Sequence, residues 1–461
     1  AEMDIESRGG PLRLDIRELD LELGPAFING DNELFRRGHV VGQLGFAPFV
    51  PRENKGLRML PFLEIDALLD LDVHSLGFIN LFTANLGNLV IDGAGLVQGP
   101  LRYSQGYMLA GTDLTARARD LAVRINEMDV NGQGVVRIHT PREADKPLGL
   151  DVDYDTLEIT RDGDTAPFLA GDSLRLRYKA SNYVVPDPDM DFQKLLNDER
   201  ARERRKNNTL RFEIKQAQVL DMSLLNDYLP AQAPLRFTGG TASLEADVFA
   251  GVRKIEGFLE LVSTDLQLRA GEQDLEGNLS ADVVLSGGEP RSFKVDLDGS
   301  TLTLDEVVVA GEANTFDEDQ WSAVFHLDRA QTTLRQPIQI SADYRLLMSD
   351  TRPAVAFFDN QKDPPAWFSS LLTLRDVEGE GSIETGEERI VIPHSLVLRD
   401  KADIAAKAEF SPSGRKGVLY ARYKKLDLVL KMDAKKNNID VIRARKKFDA
   451  YRTPAQIESR P

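Results

Sequence analysis

The sequence predicts a mainly β protein: an elongated antiparallel β-meander forming an open groove or a curled sheet, with few short helices. Three observations predict it. Apolar residues recur at every second position in run after run, as in Leu279, Ala281, Val283 and Leu285, then Phe293, Val295 and Leu297, then Trp321, Ala323, Phe325 and Leu327. Side chains alternate faces along a strand, so each run makes one apolar and one wet face. Glycine-bearing turns at Gly251, Gly271, Gly287-Gly288, Gly299 and Gly311 divide the runs, giving about ten residues per strand and turn, the rhythm of a meander. Helical periodicity is scarce.

The elements follow in order. Leu12, Leu14 and Ile16 form one alternating set and Leu19, Leu21 and Leu23 another; the phase slips at Arg17-Glu18, which predicts a β-bulge. Residues 25–56 read as loop with short strands at 27–28, 40–41 and 46–50. From 57 to 160 strands alternate with turns at Asn85-Leu86-Gly87-Asn88, Asp92-Gly93 and Asn131-Gly132. Pro186-Asp187-Pro188 interrupts the pattern; a charged helix is expected over 192–206 and a short one over 221–228, stopped by Pro230. Strands are then expected at 241–249, 254–262, 264–269, 274–285, 292–298, 300–309, 321–328 and 337–346. A helix at 364–372, strands over 377–410 and 418–432, and a basic helix over 440–452 complete the chain. The resulting organisation is an N-terminal β-rich region (1–185), a helical insertion or hinge (186–230), a C-terminal meander (231–439) and a basic C-terminal helix or tail (440–461).

Composition narrows the function classes. The 461 residues carry 57 Lys or Arg against 74 Asp or Glu, a net charge of −17, which opposes binding to nucleic acid phosphates. Local basic clusters nevertheless occur at 200–206 and 443–447. Without cysteine there are no disulfides, thiolate metal sites or cysteine nucleophiles. No stretch approaches the roughly 18 apolar residues of a membrane-spanning helix.

Motifs for catalysis or metal binding do not withstand inspection. Gly93-Ala94-Gly95 and Gly132-Gln133-Gly134 lack the third glycine and the following helix of a dinucleotide loop. Asp151, Asp153 and Asp155, and again Asp187, Asp189 and Asp191, have calcium-loop spacing. The sixth position, however, is Thr156 or Phe192 instead of Gly, and the twelfth is Asp162 or Asp198 instead of Glu. Leu150, Val152 and Tyr154 alternate with the first set, so the wet face of a strand is the simpler reading. None of the five histidines has a partner at i+2 or i+4, and no Gly-x-Ser-x-Gly elbow occurs. The expectation is a protein without catalytic residues, metal or cofactor.

One stretch resembles a known family. Leu224-Leu225-Asn226-Asp227-Tyr228-Leu229-Pro230, followed by Pro234-Leu235-Arg236-Phe237-Thr238-Gly239-Gly240-Thr241-Ala242, is similar to an element of AsmA-like bacterial envelope proteins related to TamB and YhdP. In these, a short helix ending in a "YLP" turn leads into an "LRF-x-x-G" strand and then a meander. The likeness is specific over about 224–310 and architectural elsewhere. It implies a long apolar β-groove, phospholipid or another acyl-chain ligand, transport of lipid across the periplasm, envelope protein partners, and inner-membrane tethering through an anchor absent from this chain.

The candidate groove-lining residues are Leu259, Leu261, Leu266, Leu268, Leu279, Val283 and Leu285. Arg443, Arg445, Lys446 and Lys447, flanked by Ile442 and Phe448, are candidates for contact with a membrane or partner. The same alternation also arises in a closed sandwich or barrel whose apolar faces form core, so a scaffold or interaction protein of an envelope complex is the alternative. A carbohydrate-active enzyme is the third reading.

Overall fold

A computed structural model describes residues 3–454 except for 7–10, 29–31, 55, 81–88, 105–106, 126–127, 141–147, 162, 165, 181–207, 271–272, 291, 310–319, 335–336, 352–373, 400–401, 424–425 and 434–436. The expected helices at 192–206 and 364–372, the turn at Asn85 to Asn88 and the acidic set at Asp187 to Asp191 lie outside the described residues. The protein is mainly β and antiparallel throughout its described ladders, as the alternation predicts. Two compact units divide it: Ala1–Ala217 with Phe249–Val252, and Gln218–Val248 with Arg253–Pro461.

The first unit is a meander of β1 (Leu12–Leu23), β2 (Asn32–Phe49), β3 (Leu63–Val73), β4 (Gly95–Ser104), β5 (Asp113–Ile125), β6 (Met128–His139), β7 (Leu148–Arg161), β8 (Ser173–Ala180) and β9 (Thr209–Val219). Each pairs antiparallel with the next. The predicted bulge in β1 is present, with the register against β2 shifting between Ile16 and Leu19. Two expectations are corrected. Residues 32–49 form one long strand where loop and short strands were expected. Asn131-Gly132 is not a hairpin turn but lies inside β6, beside a register shift. A Cβ on Gly132 would overlap the carbonyl oxygen of Thr156 on β7, so the glycine permits close strand approach at a bulge instead of a chain reversal.

Across this unit one row of paired residues reads Val97, Ala116, Val136, Val152 and Leu176, and every member is at most 4% exposed. Tyr154, on the same face of β7, donates its hydroxyl to the Val130 carbonyl at 2.9 Å. Burial pushes its ionisation well above the usual tyrosine range. The opposite face is wet. Asp151 and Asp153 there face Arg177, whose guanidinium donates to Asp153 at 2.6 Å, and His139 lies 3.4 Å from Asp151. Asp151 and Asp153 of the first acidic set are therefore part of a ladder of cross-strand ion pairs, the arrangement that opposite charges on neighbouring strands favour.

The second unit opens with a 3-10 turn, Met222–Tyr228, capped by the Asp221 carboxylate, which accepts from the Ser223 N–H at 2.8 Å. Strands Leu235–Gly239 and Ala242–Ala250 follow. The main ladder comprises β10 (Ile255–Ala270), β11 (Gln273–Leu285), β12 (Thr301–Val309), β13 (Trp321–Thr333), β14 (Gln339–Asp350), β15 (Arg375–Thr385), β16 (Ile390–Arg399), β17 (Ala402–Ser411), β18 (Gly414–Tyr423), β19 (Leu426–Met432) and β20 (Asn437–Asp440). These pair in chain order.

The separate strands expected at 254–262 and 264–269 are one strand, β10, with a bulge between Ser263 and Leu266. The extra residue resets the phase, which is why Leu259 and Leu261 share a face with Leu266 and Leu268 despite their parity. In place of a single strand at 292–298, a small hairpin (Gly287–Glu289, Lys294–Asp296) pairs with the end of β13. The C-terminal helix is shorter than expected: α1 spans Ala444–Ala450.

Candidate functional site

All seven groove candidates lie on one face of β10 and β11. Their register sets Leu259 opposite Val283, Leu261 opposite Ala281, Leu266 opposite Gly277, Leu268 opposite Leu275, Leu279 opposite Ser263, and Leu285 opposite Gly257. Their surroundings differ. Leu266, Leu268 and Leu279 are buried, whereas Leu259, Leu261, Val283 and Leu285 are only half-buried.

The register extends this face across the unit. One row runs Leu261, Ala281, Leu302, Phe325, Leu346, Gly379, Val397, Ile404, Ala421 and Leu428. From Val397 to Leu428 no member is more than 8% exposed, but Leu302 is 37% exposed, and Leu261, Ala281, Phe325 and Leu346 are half-buried. An adjacent row through Leu279, Leu304, Ala323, Met348 and Val377 is mostly sealed. The face thus has a dry floor along one side and an unsealed apolar strip over β10 to β14. Leu302, Phe325 and Leu346 were missed as candidates; only strand pairing places them beside Leu261.

A strap joins two parts of this sheet. The Asn226 side chain accepts from the Phe237 N–H at 2.9 Å and donates to the Phe237 carbonyl at 2.7 Å. Arg236 donates to the carbonyls of Pro230 (2.8 Å) and Asn226 (3.3 Å). Phe237 is opposite Leu268 on β10, yet the Tyr228 carbonyl accepts from the N–H of Ile338, next to β14, at 2.9 Å. The "YLP" turn noted in the sequence therefore ties the strand beside β10 to the start of β14.

The strip is chemically plain. Phe325 and Tyr344 meet edge to face with centroids 6.1 Å apart. The Tyr344 ring lies over Gly381, where a Cβ would approach its hydroxyl to 2.6 Å. Burial raises the ionisation of Tyr344, while its hydrogen bond to Ser395 opposes that. Ser263, buried on the same face, donates to Asp265 at 3.2 Å. The charged pairs belong to the opposite face, as with Arg345 and Asp328 at 2.8 Å. Among the described residues no group of three or more His, Asp or Glu could hold a metal ion. Such a surface can bury an apolar chain.

The four basic candidates at the C-terminus divide. Arg445 stacks over Tyr420 at 5.2 Å and pairs with Asp449 at 3.0 Å. Lys447 pairs with Asp440. Arg443 and Lys446 are exposed and form no ion pair among the described residues. Ala444 and Phe448, one turn apart, cover Ala405, Val418, Tyr420 and Val429 on the face of β17 to β19 opposite the strip's. Lys407 fastens this helix, donating to the carbonyls of Phe448 and Tyr451 at 3.2 Å each, and its burial holds it below the usual lysine range.

Comparison with protein-family models, curated proteins and solved structures finds no match to this chain. The geometry stands on its own.

Proposed function

We propose that this chain is a non-enzymatic lipid-binding or phospholipid-transfer protein of the bacterial cell envelope, similar to AsmA-like proteins, working in the periplasm under inner-membrane tethering. The observation that carries the reading is the half-buried apolar strip on the shared apolar face of β10 to β14, with Leu302 at its most open point. A core residue in a finished domain is sealed by neighbours. A face left open is stabilised when a ligand covers it, at about 0.8 kcal/mol for each methylene removed from water. The strip asks of its ligand only length and apolarity, which acyl chains supply.

The test is lipid extraction from the purified chain followed by mass spectrometry. Phospholipid in fixed stoichiometry supports the reading; a lipid-free, monodisperse chain overturns it. A second reading, a scaffold of an envelope complex with closed β cores, is favoured by the first unit, whose corresponding row is sealed throughout. Lipid carriage is therefore assigned to the second unit.

A further inference from the structure

The C-terminal end of the second unit differs in character from the chain as a whole. Against the net charge of −17, the sequence over 423–450 holds nine Lys or Arg and four Asp, and the described residues of that stretch include the basic Lys431, Arg443, Arg445, Lys446 and Lys447 beside the same four Asp. The same end presents the most exposed large apolar side chain among the described residues, Ile442 at 69%, beside Val441 at 56%, with Leu426 and Ile439 exposed nearby. The chain leaves β20 at Asp440, opposite Val429, three residues from Leu426 on β19.

This exposure is held in place. The Ile442 N–H donates to Asp440 Oδ1 at 2.8 Å, and Lys447 Nζ donates to Asp440 Oδ2. Those bonds, the one from Lys447 foremost, keep the Asp440 carboxyl below its ordinary range. Arg443 then takes a left-handed backbone conformation, φ 53°, unfavourable for a residue with a Cβ. The turn is thus pinned so that two aliphatic side chains stand in water, with Arg443 and Lys446, which form no ion pair among the described residues, beside them.

We propose that this tip docks the protein on an anionic phospholipid bilayer. Val441 and Ile442 enter the interface while Arg443 and Lys446 meet lipid phosphates. Combined shallow apolar insertion and phosphate contact is how a small element holds a membrane surface. Four scattered aliphatic side chains fall well short of the ~800 Å² per partner of a stable protein interface. The lipid-carrier reading enters only in favouring a membrane over a protein as the occupant.

The experiment is flotation of the full chain with vesicles of equal parts phosphatidylglycerol and phosphatidylcholine, and with phosphatidylcholine alone. The chain is expected to float with the anionic vesicles, to be released by salt, and to ignore the neutral ones. Replacing Val441→Ser and Ile442→Ser together abolishes flotation. Arg443→Gln with Lys446→Gln weakens it roughly thirtyfold, the ~2 kcal/mol that two cations contribute at such a surface. All four side chains are exposed, so thermal melts should coincide with the parent's. Anionic-vesicle binding that survives the Val441 and Ile442 changes, or a parent chain that does not float, overturns the proposal. Lipid content is read in parallel. A chain that docks but carries no lipid supports the tip and sinks the carrier reading, whereas one that carries lipid without docking does the reverse.

Discussion

Replacing Val283 and Val136 by Asp asks the same question of two β-strand faces. Val136, on β6, is 1% exposed between Ala116 and Val152. An aspartate there has neither water nor a cation, and an uncompensated buried charge costs about 3–5 kcal/mol. That is a large share of the roughly 5–15 kcal/mol that holds a domain folded. Val283 is half-buried opposite Leu259, where a carboxylate can reach water, so the cost falls to about 1 kcal/mol. Ligand binding suffers instead, because losing contact with two or three methylenes forfeits about 2 kcal/mol, roughly thirtyfold in affinity. Circular-dichroism melts and lipid mass spectrometry read the two quantities. Val136→Asp should lower the melting temperature steeply; Val283→Asp should leave it nearly unchanged while emptying the protein of lipid. If Val283→Asp unfolds the protein as Val136→Asp does, the strip is closed core and the reasoning fails. Full lipid retention in a folded Val283→Asp protein fails it equally.

Further outcomes follow from individual contacts. Asn226→Ala removes two hydrogen bonds to Phe237 and should cost about 1–2 kcal/mol, seen as faster amide exchange across the strap; unchanged exchange would mean that the strap is held elsewhere. Gly132→Ala forces a methyl onto the Thr156 carbonyl and should destabilise the first unit by about 2 kcal/mol or more, measured by urea denaturation. Tyr103 is pushed from 10.0 to about 12 by burial. Its contribution is complete below pH 10 and is lost as pH rises through about 12, so Tyr103→Phe should flatten the alkaline loss of stability. Asp113 is held below 3.8, chiefly by its hydrogen bond to Arg137. That contribution is present above pH 3.8 and is lost as pH falls through the lower folded value, so Asp113→Asn should reduce the acid sensitivity of a urea midpoint.

How much of this was legible in the sequence depended on range. Alternation depends on the strand alone, so the fold class and the inward set on β10 and β11 could be read directly, and so could the slip at Arg17-Glu18. Failures began where a second strand decides. Asn131-Gly132 has the chemistry of a turn, but pairing with β5 and β7 makes it a bulge. Ser263 looked like a break between strands, yet Asp265 accepts from the Thr241 N–H at 2.8 Å and secures a bulge within one. Burial was beyond reach altogether: Leu302 and Val397 are apolar residues in like runs, and only their places in the sheet leave one open and seal the other. The basic cluster was visible, but its division into paired Arg445 and Lys447, and Arg443 and Lys446 without an ion pair among the described residues, required the positions of Asp449 and Asp440.

The central claim is that acyl chains lie along the half-buried apolar strip of the second unit. Photo-crosslinking tests it most directly, with a photoreactive side chain placed in turn at Leu302, Leu261 and Phe325, and at Val136 as the sealed control. The account predicts lipid adducts, identified by mass spectrometry, at the first three positions and none at Val136. Adducts absent from the strip, or equally frequent at Val136, would contradict it.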